Sequence, residues 1–159
     1  MFLAPRLFID QVRRSEAETL VAIHGEAFAR PWSADDFTAL VADRSVYALA
    51  LRRESLFGNR RMQGFVLVRA AADEAEILTI AVAPSAQGKG YGRRLMEDIM
   101  RRLYADGVRS LFLEVDGANA PAVRLYRSLG FETVGERKGY YHRADGSTGT
   151  ALVMRVQLR

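Results

Sequence analysis

Cysteine is absent from this chain, which excludes disulfides, a thiol nucleophile and Cys-ligated metals, and fits a reducing compartment. No apolar run approaches the roughly 20 residues needed to span a bilayer, so no membrane association is expected. Met1-Phe2-Leu3-Ala4-Pro5-Arg6 lacks a charged stretch followed by an apolar one. A secretory signal is therefore not expected, and the cytoplasm is the expected location. Basic residues come in scattered pairs (Arg13-Arg14, Arg52-Arg53, Arg60-Arg61, Arg93-Arg94, Arg101-Arg102) and never in a long run. A dedicated nucleic-acid arm is thus not indicated. The two histidines, His24 and His142, have no evident partner set, and no metal site is assigned. There is no repeat, low-complexity tract or linker, so the 159 residues are expected to form one domain, 1–159, with a sizeable core. What is present is ordinary for a soluble protein: 49% hydrophobic residues, 26% charged, and a net charge of +4 that would suit an anionic cofactor or an acidic partner.

Read for periodicity, Leu7 to Val12 is a short strand. Ser15 is positioned as the N-cap of a helix carrying Leu20, Ile23 and Ala27, which stops near Arg30-Pro31. Ser33 caps a second helix, with Asp36 reciprocating and Phe37, Leu40 and Val41 at helical spacing. Ser45 to Leu51, Met62 to Ala70 and Glu76 to Val82 read as successive strands of an antiparallel meander, joined by the polar loop Arg53–Arg61 and by a turn at Asp73-Glu74. From Arg93 to Leu103, Leu95, Met96, Ile99, Met100 and Leu103 share one helical face and the charged residues the other. Ser110 to Val115 follows as a buried-type strand. A strand, helix, strand passage with so little linker predicts that it pairs parallel to Glu76–Val82. Asn119 caps a further helix with Pro121 in its first turn and Gly130 at its end. Phe131 to Tyr141 and Thr150 to Leu158 are the last two strands, joined by Ala144-Asp145-Gly146-Ser147. The expected class is mixed α/β (α+β): a mostly antiparallel sheet with a central parallel strand pair and flanking helices.

Between the Ile77–Val82 stretch and the amphipathic helix lies Gln87-Gly88-Lys89-Gly90-Tyr91-Gly92. Strand, glycine-rich turn and helix form an anion cradle: glycine lets the backbone approach a ligand, and the first amides of a helix point at negative charge. The run is neither a Walker A loop nor a dinucleotide fingerprint, since position 93, where the latter needs glycine, is Arg93. Downstream, Glu114 stands alone among Leu111, Phe112, Leu113 and Val115. A carboxylate in an apolar strand is expensive unless it is functional or paired, for instance with an arginine. Partial burial would raise its proton affinity towards that of a working general base. Tyr126, on the helix that follows, suits a core aromatic with its hydroxyl at the rim.

Ile80-Ala81-Val82-Ala83-Pro84 followed by Gln87-x-x-Gly90-x-Gly92 resembles the acetyl-CoA-binding motif of the GCN5-related N-acetyltransferases. Leu113-Glu114-Val115, Asn119 and Ala122-Val123-x-Leu125-Tyr126-x-x-Leu129-Gly130-Phe131 resemble that family's second block. Within the family, Phe28-x-x-Pro31-Trp32-Ser33 and Arg137-x-x-Tyr140-Tyr141 with Asp145-Gly146 are most similar to the bacterial ribosomal-protein-alanine N-acetyltransferases, the RimI group. The Arg53–Arg61 loop departs from that pattern by its length. The resemblance implies the family's fold and acetyl-CoA as co-substrate, held by backbone of Ile80, Ala81 and Val82, by Gln87, Gly88, Lys89, Gly90, Tyr91 and Gly92, and by Asn119. It implies Glu114 as general base and Tyr126 as general acid, with Trp32 and one of Tyr140 and Tyr141 flanking the acceptor. The implied acceptor is a protein N-terminal α-amine, that of ribosomal protein S18, attacked directly in a ternary complex. A small-molecule amine, or coenzyme binding without turnover, are the alternatives.

Overall fold

In the computed structural model, which describes residues 4–27, 32–142 and 145–159, seven strands form one mixed sheet in the order β1-β2-β3-β4-β5-β7-β6. They are β1 (Arg6–Gln11), β2 (Val46–Glu54), β3 (Arg60–Ala71), β4 (Glu74–Val82), β5 (Ser110–Asp116), β6 (Glu132–His142) and β7 (Thr148–Gln157). The helices are α1 (Ala17–Ala27), α2 (Ala34–Ala42), α3 (Tyr91–Ala105) and α4 (Ala120–Ser128). Phe28, the expected helix stop at Arg30-Pro31 and Ala144 lie outside the described residues, as do the side chains of Ala27, Tyr141 and His142. The α/β class and the parallel pair are as expected: Glu74, Ala75 and Glu76 register with Ser110, Leu111 and Phe112. The β1–β2, β5–β7 and β6–β7 pairs are antiparallel. Backbone contacts group the chain into two compact units, Met1–Val68 with Thr79–Ile99, and Arg69–Leu78 with Met100–Arg159.

In the first unit the start of α1 corrects the sequence expectation. Ser15 is not its cap. A 3-10 turn over Arg14–Glu16 precedes the helix, and the Glu16 carboxylate accepts from the Arg13 amide at 2.8 Å. The cause is Arg52, buried on β2, which donates to Glu16 at 2.6 and 2.8 Å, to the Gln11 carbonyl at 3.1 Å and to the Asp10 carboxylate. Arg52 holds the Glu16 carboxyl below the ordinary carboxylate range.

Arg52→Ala would leave two carboxylates without their cation. It should destabilise by roughly 3 kcal/mol, the lower end for breaking a buried pair, because both carboxylates keep some water. Since the folded-state value of Glu16 is depressed, its contribution is fully present above the unfolded value of about 4.3 and is lost as pH falls through the folded one. Urea unfolding in that acid range should show a shallower decline in Arg52→Ala than in the parent.

Ser33 caps α2 as expected: its hydroxyl accepts from the Asp36 amide at 3.1 Å, and the Asp36 carboxylate accepts from the Ser33 amide at 2.9 Å. Phe37 is fully buried. The expected Arg53–Arg61 loop is shorter, because strand residues occupy both of its ends. β2 runs to Glu54 and β3 starts at Arg60, leaving a turn over 55–59 closed by the Ser55 amide on the Asn59 carbonyl at 2.8 Å. The turn expected at Asp73-Glu74 falls one residue earlier, at Ala72-Asp73, since Glu74 already belongs to β4. In α3, Leu95, Met96 and Ile99 are fully buried, the apolar face its spacing predicts.

In the second unit β5 alternates cleanly. Leu111, Leu113 and Val115 are buried, while Phe112 and Glu114 are half-buried on the opposite face. Asn119 caps α4 through its side-chain oxygen, which accepts from the Ala122 amide at 3.3 Å, and Gly130 follows the helix at φ 97°. β7 is inserted between β5 and β6, so β6 forms a sheet edge. Among the described residues no helix is long and apolar enough to cross a membrane.

Candidate active site

The glycine loop leaves β4 through a 3-10 turn, Pro84–Ala86. The Ala83 amide donates to the Gln63 carbonyl on β3 at 2.8 Å. By strand alternation the backbone groups of Val82 and Ile80 therefore point away from β3. The Gln87 side-chain amide folds back onto that edge and donates to the Val82 carbonyl at 3.3 Å. Gly88 and Gly90 sit at φ 78° and 79°, the left-handed region that disfavours side chains, and an added Cβ at either would meet nothing within 4 Å. The loop thus presents bare backbone to open space. The Arg94 amide bonds the Gly90 carbonyl at 3.2 Å, so the amides of Tyr91, Gly92 and Arg93 precede the helical ladder at the positive end of α3. Tyr91 itself is buried and anchors this end of the helix, while Lys89 is exposed. These features fit a diphosphate: donors, positive potential and room.

The second unit gathers Glu114, Arg137 and Tyr140. The Glu114 carboxylate pairs with Arg137 at 3.1 Å, and the Arg137 guanidinium lies 5.4 Å from the centroid of the Tyr140 ring. Of the alternatives open to a carboxylate in an apolar strand, pairing with an arginine is therefore realised. Val153 of β7 registers with both Glu114 and Gly135, and Arg137 reaches across β7 from two residues further along β6. Glu114 lines a cavity of about 390 Å³ together with Phe112, Val153, Arg69, Glu74 and Glu76. Tyr126 is 7% exposed, its ring edge-on to Phe131 at 5.8 Å.

The β6–β7 register shifts between Arg137 and Tyr141, and Gly139 sits at φ 70°. This irregularity interrupts β6 just ahead of the two tyrosines. Tyr140 is half-exposed at 51%; the Tyr141 side chain lies outside the described residues.

His24, assigned no partner set from sequence, has partners. It is buried, its Nδ1 accepts from the Trp32 amide at 3.3 Å, and its ring stacks on Trp32 at 4.9 Å. A linear signal existed: His24 follows Leu20 by one helical turn and so falls on the apolar face of α1. For Arg137 the signal was its place in the Arg-x-x-Tyr-Tyr run, although nothing local tied it to Glu114.

A mixed seven-stranded sheet with a parallel central pair, a glycine turn opening α3 and the Glu114 carboxylate on the apolar stretch of β5 define the class. Residues 11–131 match the acetyltransferase (GNAT) family, and the chain belongs to that family. Over 150 residues it is 34% identical to the ribosomal protein bS18-alanine N-acetyltransferase of Escherichia coli K12, covering 94% of this chain and 97% of that one. It is also 34% identical to the enzyme of the same name from Haemophilus influenzae, covering 94% and 98%. The crystal structure of the Escherichia coli ribosomal-protein-S18-alanine N-acetyltransferase matches with a TM-score of 0.88 at 31% identity, over 96% of this chain and 94% of that one. Arabidopsis thaliana NAA60 in complex with acetyl-CoA shares the fold, with a TM-score of 0.81 at 20% identity over 96% and 98% of the two chains.

Proposed function

We propose that this single-domain chain transfers an acetyl group from acetyl-CoA to the N-terminal α-amine of a protein, the alanine of ribosomal protein bS18. The observation that carries the reading is Glu114, a half-buried carboxylate in an apolar strand that opens on a cavity. Support for the acceptor comes from the relatives named above. The left-handed glycines and leading amides of α3 suit the coenzyme's pyrophosphate, Asn119 adds a side-chain contact, and the backbone of Ile80, Ala81 and Val82 suits the pantetheine arm.

The α-amine nitrogen attacks the thioester carbonyl carbon, forming the C–N bond as the C–S bond breaks. Glu114 accepts the proton lost by nitrogen, directly or through a water. The Tyr126 hydroxyl donates a proton to the departing sulfur. The Val82 amide polarises the carbonyl. With no cysteine to carry it, no acyl-enzyme is invoked. Trp32 and Tyr140 flank the acceptor.

Tyr126→Phe preserves the packing against Phe131 and deletes only the hydroxyl. It should lower turnover by about 100-fold, the low end for a lost acid because thiolate is a good leaving group, with acetyl-CoA affinity unchanged in calorimetry. The functional reading is tested by assaying an Ala-starting bS18 peptide beside a panel of small amines. Transfer to the peptide supports it; acetylation of small amines alone overturns it. Mass spectrometry of N-terminal peptides, from cells with and without this gene, then identifies the acceptor.

A further inference from the structure

Trp32 stands where the chain enters α2, one residue before the Ser33 cap. Its amide donates to Nδ1 of His24 at 3.3 Å, and the two rings stack with centroids 4.9 Å apart and planes 28° from parallel. Phe37, one turn into α2, meets the His24 ring edge-on at 5.4 Å and lies 5.4 Å from the Trp32 ring. Phe37 in turn packs edge-on against Phe65 of β3 at 5.7 Å. Trp32 remains half-buried, whereas His24 is 2% exposed and Phe37 has no exposure. Backbone amide and indole ring of one residue are thus both fixed by one imidazole, which is itself braced by Phe37.

A purely apolar residue at position 24 would fill the same space. Imidazole adds an acceptor aimed at a backbone N–H, and only the neutral ring has one. Burial lowers the proton affinity of His24 and keeps it in that form. We infer that His24 is a positioning residue for acceptor binding: through its Nδ1 acceptor and its ring it holds Trp32 where the acceptor chain passes. The inference rests on the peptide-acetyltransferase reading above, in which Trp32 flanks the acceptor.

The test uses the intact chain, acetyl-CoA, the bS18 N-terminal peptide and two variants. His24→Phe keeps a stacking ring and removes the acceptor. His24→Asn restores an oxygen near the position of Nδ1. His24→Phe should raise the KM for peptide by about fivefold to tenfold, the scale of one lost hydrogen bond, with kcat and the KM for acetyl-CoA within twofold. His24→Asn should recover much of that loss. Trp32 is the only tryptophan in the chain, so its fluorescence reports this spot in the unmodified protein and should shift when peptide is added with CoA. That measurement stands even if His24→Phe fails to fold. Peptide turnover with an unresponsive Trp32, or with a His24→Phe peptide KM equal to the parent's, overturns the inference and leaves the functional reading intact. A parallel rise in both KM values with a fall in melting temperature overturns it as well, since that is the mark of a general structural role. Failure of the unmodified protein to acetylate any peptide overturns both.

Discussion

Glu114→Gln is expected to lower turnover at neutral pH by at least about 100-fold, within the range a positioned general base contributes. The substitution keeps shape and keeps an oxygen that accepts from Arg137, so the cluster of Glu114, Arg137 and Tyr140 should survive it. It removes the negative charge and with it the ability to take a proton. Because an α-amine has a reference pKa of about 7.7–8.0, raising the pH supplies neutral amine without enzymatic help. The deficit should therefore shrink towards pH 9, an outcome that loss of folding would not give. Acetyl-CoA affinity, measured by calorimetry, should stay within twofold. Kinetics equal to the parent's across the pH range would remove Glu114 from this role.

Gly90→Glu is expected to abolish measurable acetyl-CoA binding, a loss of at least about 100-fold. Two effects add. At φ 79° a side chain strains the backbone, costing about 1–2 kcal/mol. The new carboxylate would then occupy the open space over the loop, where the pyrophosphate is proposed to lie, and like charges brought together cost several kcal/mol more. Gly90→Ala separates the two, since a methyl there meets nothing within 4 Å. It should cost only the backbone term, roughly a tenfold loss. Tight binding retained by Gly90→Glu would refute the cradle.

The features legible in the sequence are those whose causes lie within a few residues. The apolar face of α3, the reciprocal Ser33–Asp36 cap, the Asn119 cap and the isolated carboxylate at 114 all follow from local spacing. What escaped depends on distant partners. Ser15 has the chemistry of a cap, yet Arg52 draws Glu16 inward from far along the chain and a tight turn forms instead. Gly139 hides inside a run that reads as a regular strand, and its left-handed backbone surfaces only as a register shift against β7. His24 looked idle because its partner amide belongs to the next helix entry. The strand order β5-β7-β6 was equally illegible, since hairpin-joined strands state that they pair but not which of them meets the rest of the sheet.

That strand order has a consequence for assembly. β6 is made before β7, yet it has no place on the sheet until β7 has docked on β5. Arg137 can therefore reach Glu114 only across a strand synthesised after both of them. Contacts of such long sequence separation form late, because the intervening chain must be ordered before they stabilise anything. A nascent chain that has not yet released Thr148–Gln157 would carry Glu114 without its arginine, and the charge pair is completed only when the final strand slots in.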